Sequence, residues 1–116
     1  MEVLRWEDEP VEALGTSIGR RMVNGESMTL AYITLAAGAV VPSHEHPNEQ
    51  IATVLSGKLR FVVGQEEREV GAGESVLIPS GAPHRVEALE ESVVLDAFAP
   101  RREDWLRGDD AYLRGS

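Results

Sequence analysis

Apolar and polar residues in this chain come in short runs, broken every eight to twelve positions by turn residues: Asn24-Gly25, Gly38, Pro42, Gly57, Gly64-Gln65, Gly71 to Gly73 and Pro79 to Pro83. Short β-rich runs between turns so spaced are the pattern of an all-β sandwich or barrel. They predict strands over 28–35, 50–55, 58–63, 66–70, 75–78, 84–88 and 92–98. Gly64-Gln65 suits a two-residue type II′ hairpin, because glycine supplies the positive φ that the first central position demands.

The run 28–35 is apolar on both faces, with Met28, Leu30 and Tyr32 on one and Ala31, Ile33 and Leu35 on the other. A strand covered on both sides in so small a domain implies that one face meets a partner subunit, and a homodimer is expected. Pro100 stops the last strand. Arg101 to Arg107 reads as a helical turn or two, with Pro at its start and Gly108 at its end. No repeat or linker interrupts the 116 residues, so 1–116 reads as one domain with its core over about 28–99.

All three histidines fall inside two segments, Gly38 to Gly57 and Gly73 to His84. His44 and His46 sit two apart, so on extended backbone both imidazoles face the same way and form a pincer for one cation. Gln50 shares that parity, although Pro47 between them can break the register. Glu49 is its rival as fourth ligand, or else a solvated acid on the rim. His84 follows the turn residues Pro79 to Pro83, and a ligand from a distant strand closes a site inside a barrel.

These residues carry a resemblance. The first segment resembles the first cupin motif, G(x5)HxH(x3–4)E(x6)G, through Gly38, His44, His46 and Gly57, with Gln50 where the pattern usually has Glu. The second resembles the second cupin motif, G(x5)PxG(x2)H(x3)N, through Gly73, Pro79, Gly81 and His84, with Ala88 at the Asn position. The implied fold is the double-stranded β-helix, or cupin jelly-roll barrel. The implied cofactor is one divalent ion (Zn²⁺, Ni²⁺, Fe²⁺ or Mn²⁺) on His44, His46, Gln50 and His84. Neutral Gln50 leaves the cation's charge uncompensated, so the site should attract and polarise an anion.

The tail VVLDAFAPRREDWL is similar to the DxFxPxRxD ending of the pectin-degradation cupins, the KdgF family, which also carry HxHPxEQ as this chain does from His44 to Gln50. The similarity spans about residues 13–106 and implies ring opening of unsaturated uronate monomers. Asp96 would then move a proton, Arg102 would hold the substrate carboxylate, and Phe98, on the face of Asp96, would line the site. The structural alternative pairs Asp96 with Arg102 as a salt bridge. Two other readings stay open: a cupin dioxygenase or related oxidoreductase, which needs a redox metal, and a non-catalytic sugar or small-ligand binding cupin.

Composition narrows the partners. The absence of cysteine limits metal ligation to nitrogen and oxygen donors. A net charge of −9 argues against nucleic acid and anionic membrane. No run approaches the ~20 apolar residues of a membrane span, and the acidic start MEVLRWEDEP is unlike a signal peptide, so a cytoplasmic protein is expected. An acidic protein acting on an acidic sugar needs local positive charge. Arg102 at the cavity mouth supplies it, with Arg20 or Arg21 as further candidates, while Trp6 and Trp105 read as packing residues.

Overall fold

Alternation along strand β3 (Thr29–Leu35) sets the layering: Thr29, Ala31, Ile33 and Leu35 are buried, while Leu30 and Tyr32 are half-buried on the opposite face. The computed structural model describes residues 1–114. In chain order β1 (Glu12–Leu14) and β2 (Ile18–Asn24) precede β3. There follow β4 (Val40–His44), β5 (Glu49–Ser56), β6 (Lys58–Val63), β7 (Glu66–Gly71), β8 (Ser75–Ile78), β9 (His84–Ala88) and β10 (Ser92–Ala99). Two short helices, α1 (Glu103–Leu106) and α2 (Ala111–Arg114), end the described chain.

The strands form two antiparallel sheets, ordered β1-β2-β3-β10-β5-β8 and β4-β9-β6-β7, the jelly roll that the motif spacing implies. Their facing sides interdigitate Leu14, Ile33, Ala52, Val54, Leu59, Phe61, Ile78 and Val94, all buried. The hairpin between β6 and β7 pairs Val63 with Glu66. Gly64 has φ +59 and Gln65 does not share a positive φ, so the turn has the hand of type II′ and not I′. No described helix is long and apolar enough to cross a membrane.

On the outer face of the larger sheet, Val23, Leu30, Ala97, Ile51 and Leu77 align across five strands as one apolar row. Ile51 and Leu77 are 42% and 71% exposed. Tyr32, beside that row, stacks on Trp6 at 5.8 Å. The second apolar face expected of 28–35 is therefore present, covered in part by the chain's own N-terminal segment.

Three strands depart from the expected set. β1 and β2 bring residues before 28 into the larger sheet, and β4 runs through Pro42, which was expected at a turn. β4 lies at the edge of its sheet, where a missing N–H costs no ladder bond. The helical turn expected after Pro100 is α1, closed by Gly108 at φ +81. α2 was not expected.

Candidate metal centre

Each histidine is aimed by its own backbone. His44 ends β4, His84 begins β9, and the two are cross-strand partners beyond a register shift after Val41. His46 stands past the end of β4, in the loop leading to β5. The Nδ1 atoms bond carbonyl oxygens two residues away: His44 to Pro42 at 2.9 Å, His46 to Asn48 at 3.0 Å and His84 to Ala82 at 2.9 Å. A carbonyl only accepts, so each Nδ1 carries the proton and each Nε2 keeps its lone pair. The potential ligand atoms of the three residues lie within 4.8 Å of one another.

Burial keeps those lone pairs free. Desolvation, followed by the neighbouring charges, lowers the His44 and His46 pKa values from 6.5 to about 4. His84 is lowered too, chiefly by burial. All three rings are neutral at neutral pH, the form that a cation requires.

Gln50 faces inward at 7% exposure while Glu49 is exposed, so parity places Gln50, and not its rival, beside the histidines. Its Oε1 lies 3.1 Å from His46 Nε2, and its Nε2 donates to Asp96 Oδ1 at 3.1 Å. With the His46 proton on Nδ1, two lone pairs confront each other there. A cation bonded to both resolves that repulsion, and the spacing suits neighbouring ligands at ~2.0–2.2 Å from one ion. The donor set therefore fits a divalent metal on His44, His46, His84 and Gln50.

Asp96 points inward between Val94 and Phe98 on β10 and lines the same cavity. Desolvation raises its pKa from 3.8 to about 7, against the opposing pull of the Gln50 hydrogen bond and the Arg102 charge. Arg102 does not pair with Asp96. Its Nε and Nη2 grip Asp104 at 2.9 and 2.8 Å, and Nη2 also donates to Tyr112 Oη at 2.9 Å. Its guanidinium lies over the rings of Trp105 at 4.0 Å and Phe98 at 4.7 Å. Burial opposes the Arg102 charge, but the bonds to Asp104 and Tyr112 outweigh it and raise the pKa.

Three expectations need correction. Arg102 is not at an open mouth but 1% exposed within the wall. Arg20 is not available to an anion, because it is buried against Asp110 at 2.8 Å and Glu12 at 3.2 Å. Arg21 sits opposite Tyr32 on the outer face of β2, away from the cavity.

The sequence reading also missed residues. Trp105 is part of the cavity lining as well as a packing residue, and Tyr112 stacks on His44 at 4.5 Å. Asn48, 4% exposed, donates to the carbonyls of Pro100 and Arg101, tying the histidine loop to the segment that carries Arg102. Asn48 lies within HEHPNEQ, where an amide between two metal-ligand candidates was a usable signal.

The cavity bounded by His44, Gln50, His84, Asp96, Phe98, Arg102, Trp105 and Tyr112 measures about 60 Å³. A larger groove of about 490 Å³ lies between β7 and β8, but it holds no histidine and its rim includes Glu66, Glu69 and Glu74. The small cavity is the one with chemistry.

A β-sandwich with a three-histidine cluster converging from β4, β9 and the loop between β4 and β5 defines a metal-competent jelly roll. The family model for the cupin domain matches residues 31–98, and the chain belongs to the cupin family. It is 32% identical over 103 residues to the pectin degradation protein KdgF of Dickeya dadantii, covering 86% of this chain and 94% of that relative. The solved structure of KdgF from a Halomonas species superposes with a TM-score of 0.81 at 26% identity, over 85% of this chain and 94% of that one. Dimethylsulfoniopropionate lyase DddQ of Ruegeria pomeroyi is 37% identical over 60 residues, 51% of this chain and 30% of that relative.

Proposed function

We propose that this cupin is a metal-dependent enzyme that opens the ring of an unsaturated uronate monomer. The observation that carries the reading is the buried Asp96 carboxyl, its pKa raised by desolvation, in the same small cavity as His44, His84 and Arg102. The similarity to a pectin degradation protein over 94% of that relative supports it.

The reaction is an isomerisation. The anomeric hydroxyl loses a proton, the ring C–O bond breaks, and one proton is added to a carbon of the former double bond, so no atom is gained or lost. A bound divalent ion would supply Lewis-acid charge to substrate oxygens. Asp96 takes the hydroxyl proton and returns it to carbon, and a pKa near the working pH leaves both of its forms accessible. Gln50 fixes the carboxylate through Nε2. Arg102, braced by Asp104, holds the substrate carboxylate in charge-assisted hydrogen bonds.

The test is loss of the conjugated double bond's ultraviolet absorbance after metal-loaded protein is added to a freshly generated unsaturated uronate, with His84→Ala as the control for spontaneous decay. Faster loss with wild type alone supports the reading. Equal decay with both proteins rejects it and leaves a metal-binding cupin with another role.

A further inference from the structure

A cavity of about 60 Å³ has room for roughly two waters, whereas small-molecule sites run to ~300–1,000 Å³. Tyr112 forms one of its walls. Its ring lies 4.5 Å from that of His44 at 30°, and its hydroxyl accepts from Arg102 Nη2 at 2.9 Å and Trp105 Nε1 at 3.2 Å.

We infer that Tyr112 is the specificity-determining wall of the site: its phenolic oxygen holds the place on Arg102 that a ligand carboxylate takes, and monosaccharide-sized ligands enter only by displacing it. Arg102 needs no rebuilding for the exchange, because Asp104 keeps its grip through Nε and Nη2 while Nη2 trades one oxygen acceptor for another. An incoming carboxylate makes that trade favourable, because it adds ion-pair attraction and fork geometry to a site where the phenol offers the guanidinium only a neutral oxygen.

The segment that carries Tyr112 is built to come away. No residue of α2 is buried, and Leu113 is only partly so. The segment is held instead by charge: Asp110 accepts from Arg20 Nη2 and Arg114 Nε, both at 2.8 Å, and Arg114 Nη2 reaches Glu12 at 3.2 Å. Arg20 and Asp110 are themselves buried and pin the base of the segment, so it is the thinly packed turn beyond Asp110 that opens at low free energy without unfolding the rest. Trp105, 7% exposed and packed edge to face with Phe98 at 5.1 Å, stays behind as the inner wall.

The inference rests on the metal reading of His44, His46 and His84, but not on uronate turnover. Its test uses cobalt-loaded protein, with visible absorption reporting on the ion. EDTA should strip cobalt at least tenfold faster from Tyr112→Ala and from Arg114→Ala, which loosens the segment without touching the cavity. Tyr112→Phe, which keeps the ring but loses both hydroxyl bonds, should be stripped at a rate between those of wild type and Tyr112→Ala. Azide, small enough for the existing space, should bind wild type and Tyr112→Ala with equal affinity. Glucuronate should bind both Tyr112 variants at least tenfold more tightly than wild type, because both remove the competing oxygen. Equal EDTA rates in all proteins, or equal glucuronate affinities, would overturn the inference while leaving the metal centre and the uronate reading intact. Failure of wild type to take up cobalt would overturn it together with the metal reading.

Discussion

Gln50 donates from Nε2 to Asp96 Oδ1 across 3.1 Å, linking β5 to β10 inside the barrel, while its Oε1 lies 3.1 Å from His46 Nε2. One side chain thus touches both the metal-ligand candidates and the acid–base candidate. Its amide cannot rotate to satisfy one neighbour without deserting the other.

Asp96→Asn isolates the proton-transfer role from the positioning role, because the Asn oxygen still accepts from Gln50. Metal content and fold should be unchanged, while turnover of unsaturated uronate falls ~10²–10⁴-fold. Parallel turnover and metal assays check this, and full activity in the variant would remove Asp96 from the mechanism.

The same substitution has a pH signature in stability. The folded carboxyl titrates near 7 and its reference value is 3.8, so its contribution is present below pH 3.8 and is lost as pH rises through 7. Asn cannot ionise and escapes that loss. His44 and His46, lowered to about 4, make stability rise with pH from 4 to 6.5, equally in both proteins, so they cancel in the comparison. Urea unfolding of the metal-free proteins should show the variant's advantage growing by roughly 2.5 kcal/mol between pH 5 and pH 8. An offset independent of pH would contradict the assignment.

Gln50→Glu places a carboxylate against the metal site and removes the donor to Asp96. Metal affinity should rise about tenfold by chelator competition, because the ion's charge is better compensated. Turnover should fall, because a second carboxylate drives the Asp96 pKa further upward. Weaker metal binding in this variant would exclude Gln50 from the ligand set.

Arg102→Lys keeps the charge but loses the fork that grips Asp104 and the plate that lies on Trp105. KM for the uronate should rise about tenfold with a smaller change in kcat, the mark of lost ground-state binding. A fall in kcat at constant KM would assign Arg102 to the chemical step instead.

Gly57 and Gly73, both at positive φ, separate backbone conformation from crowding. A Cβ on Gly57 would collide with Ser92 Oγ and the Glu91 carbonyl, whereas nothing lies within 4 Å of one on Gly73. Gly57→Ala should cost about 3 kcal/mol or more and Gly73→Ala about 1 kcal/mol, measured by denaturant unfolding. Equal losses would mean that φ alone explains both motif glycines.

What the sequence disclosed follows from how local each signal is. Strands over 58–63, 75–78 and 84–88 match β6, β8 and β9 residue for residue, because turn residues in the sequence adjoin each of them. The histidines, both motif glycines and the parity of Gln50 are short-range patterns as well. β2 was missed because Arg20 and Arg21 lie at its centre, and a buried arginine makes sense only once Asp110, 90 residues away, neutralises it. β4 was hidden by Pro42, whose tolerance depends on an edge position that the chain alone does not reveal. Tyr112 belongs to a helix of four residues with no apolar periodicity to read, and its partners His44, Arg102 and Trp105 assemble only in three dimensions.

The three Nδ1 bonds to the carbonyls of Pro42, Asn48 and Ala82 cost the protein nothing at the moment an ion arrives. The imidazoles are already turned, their tautomers already chosen, and β4, β9 and the loop that carry them are backed by an apolar core. The arrangement is preorganised, so an ion that binds there would require no change of ring orientation or tautomer. Nitrogen and oxygen donors of this kind follow the general affinity series of first-row divalent ions. Which ion such a site would hold is therefore set by the supply in the surroundings as much as by the chain.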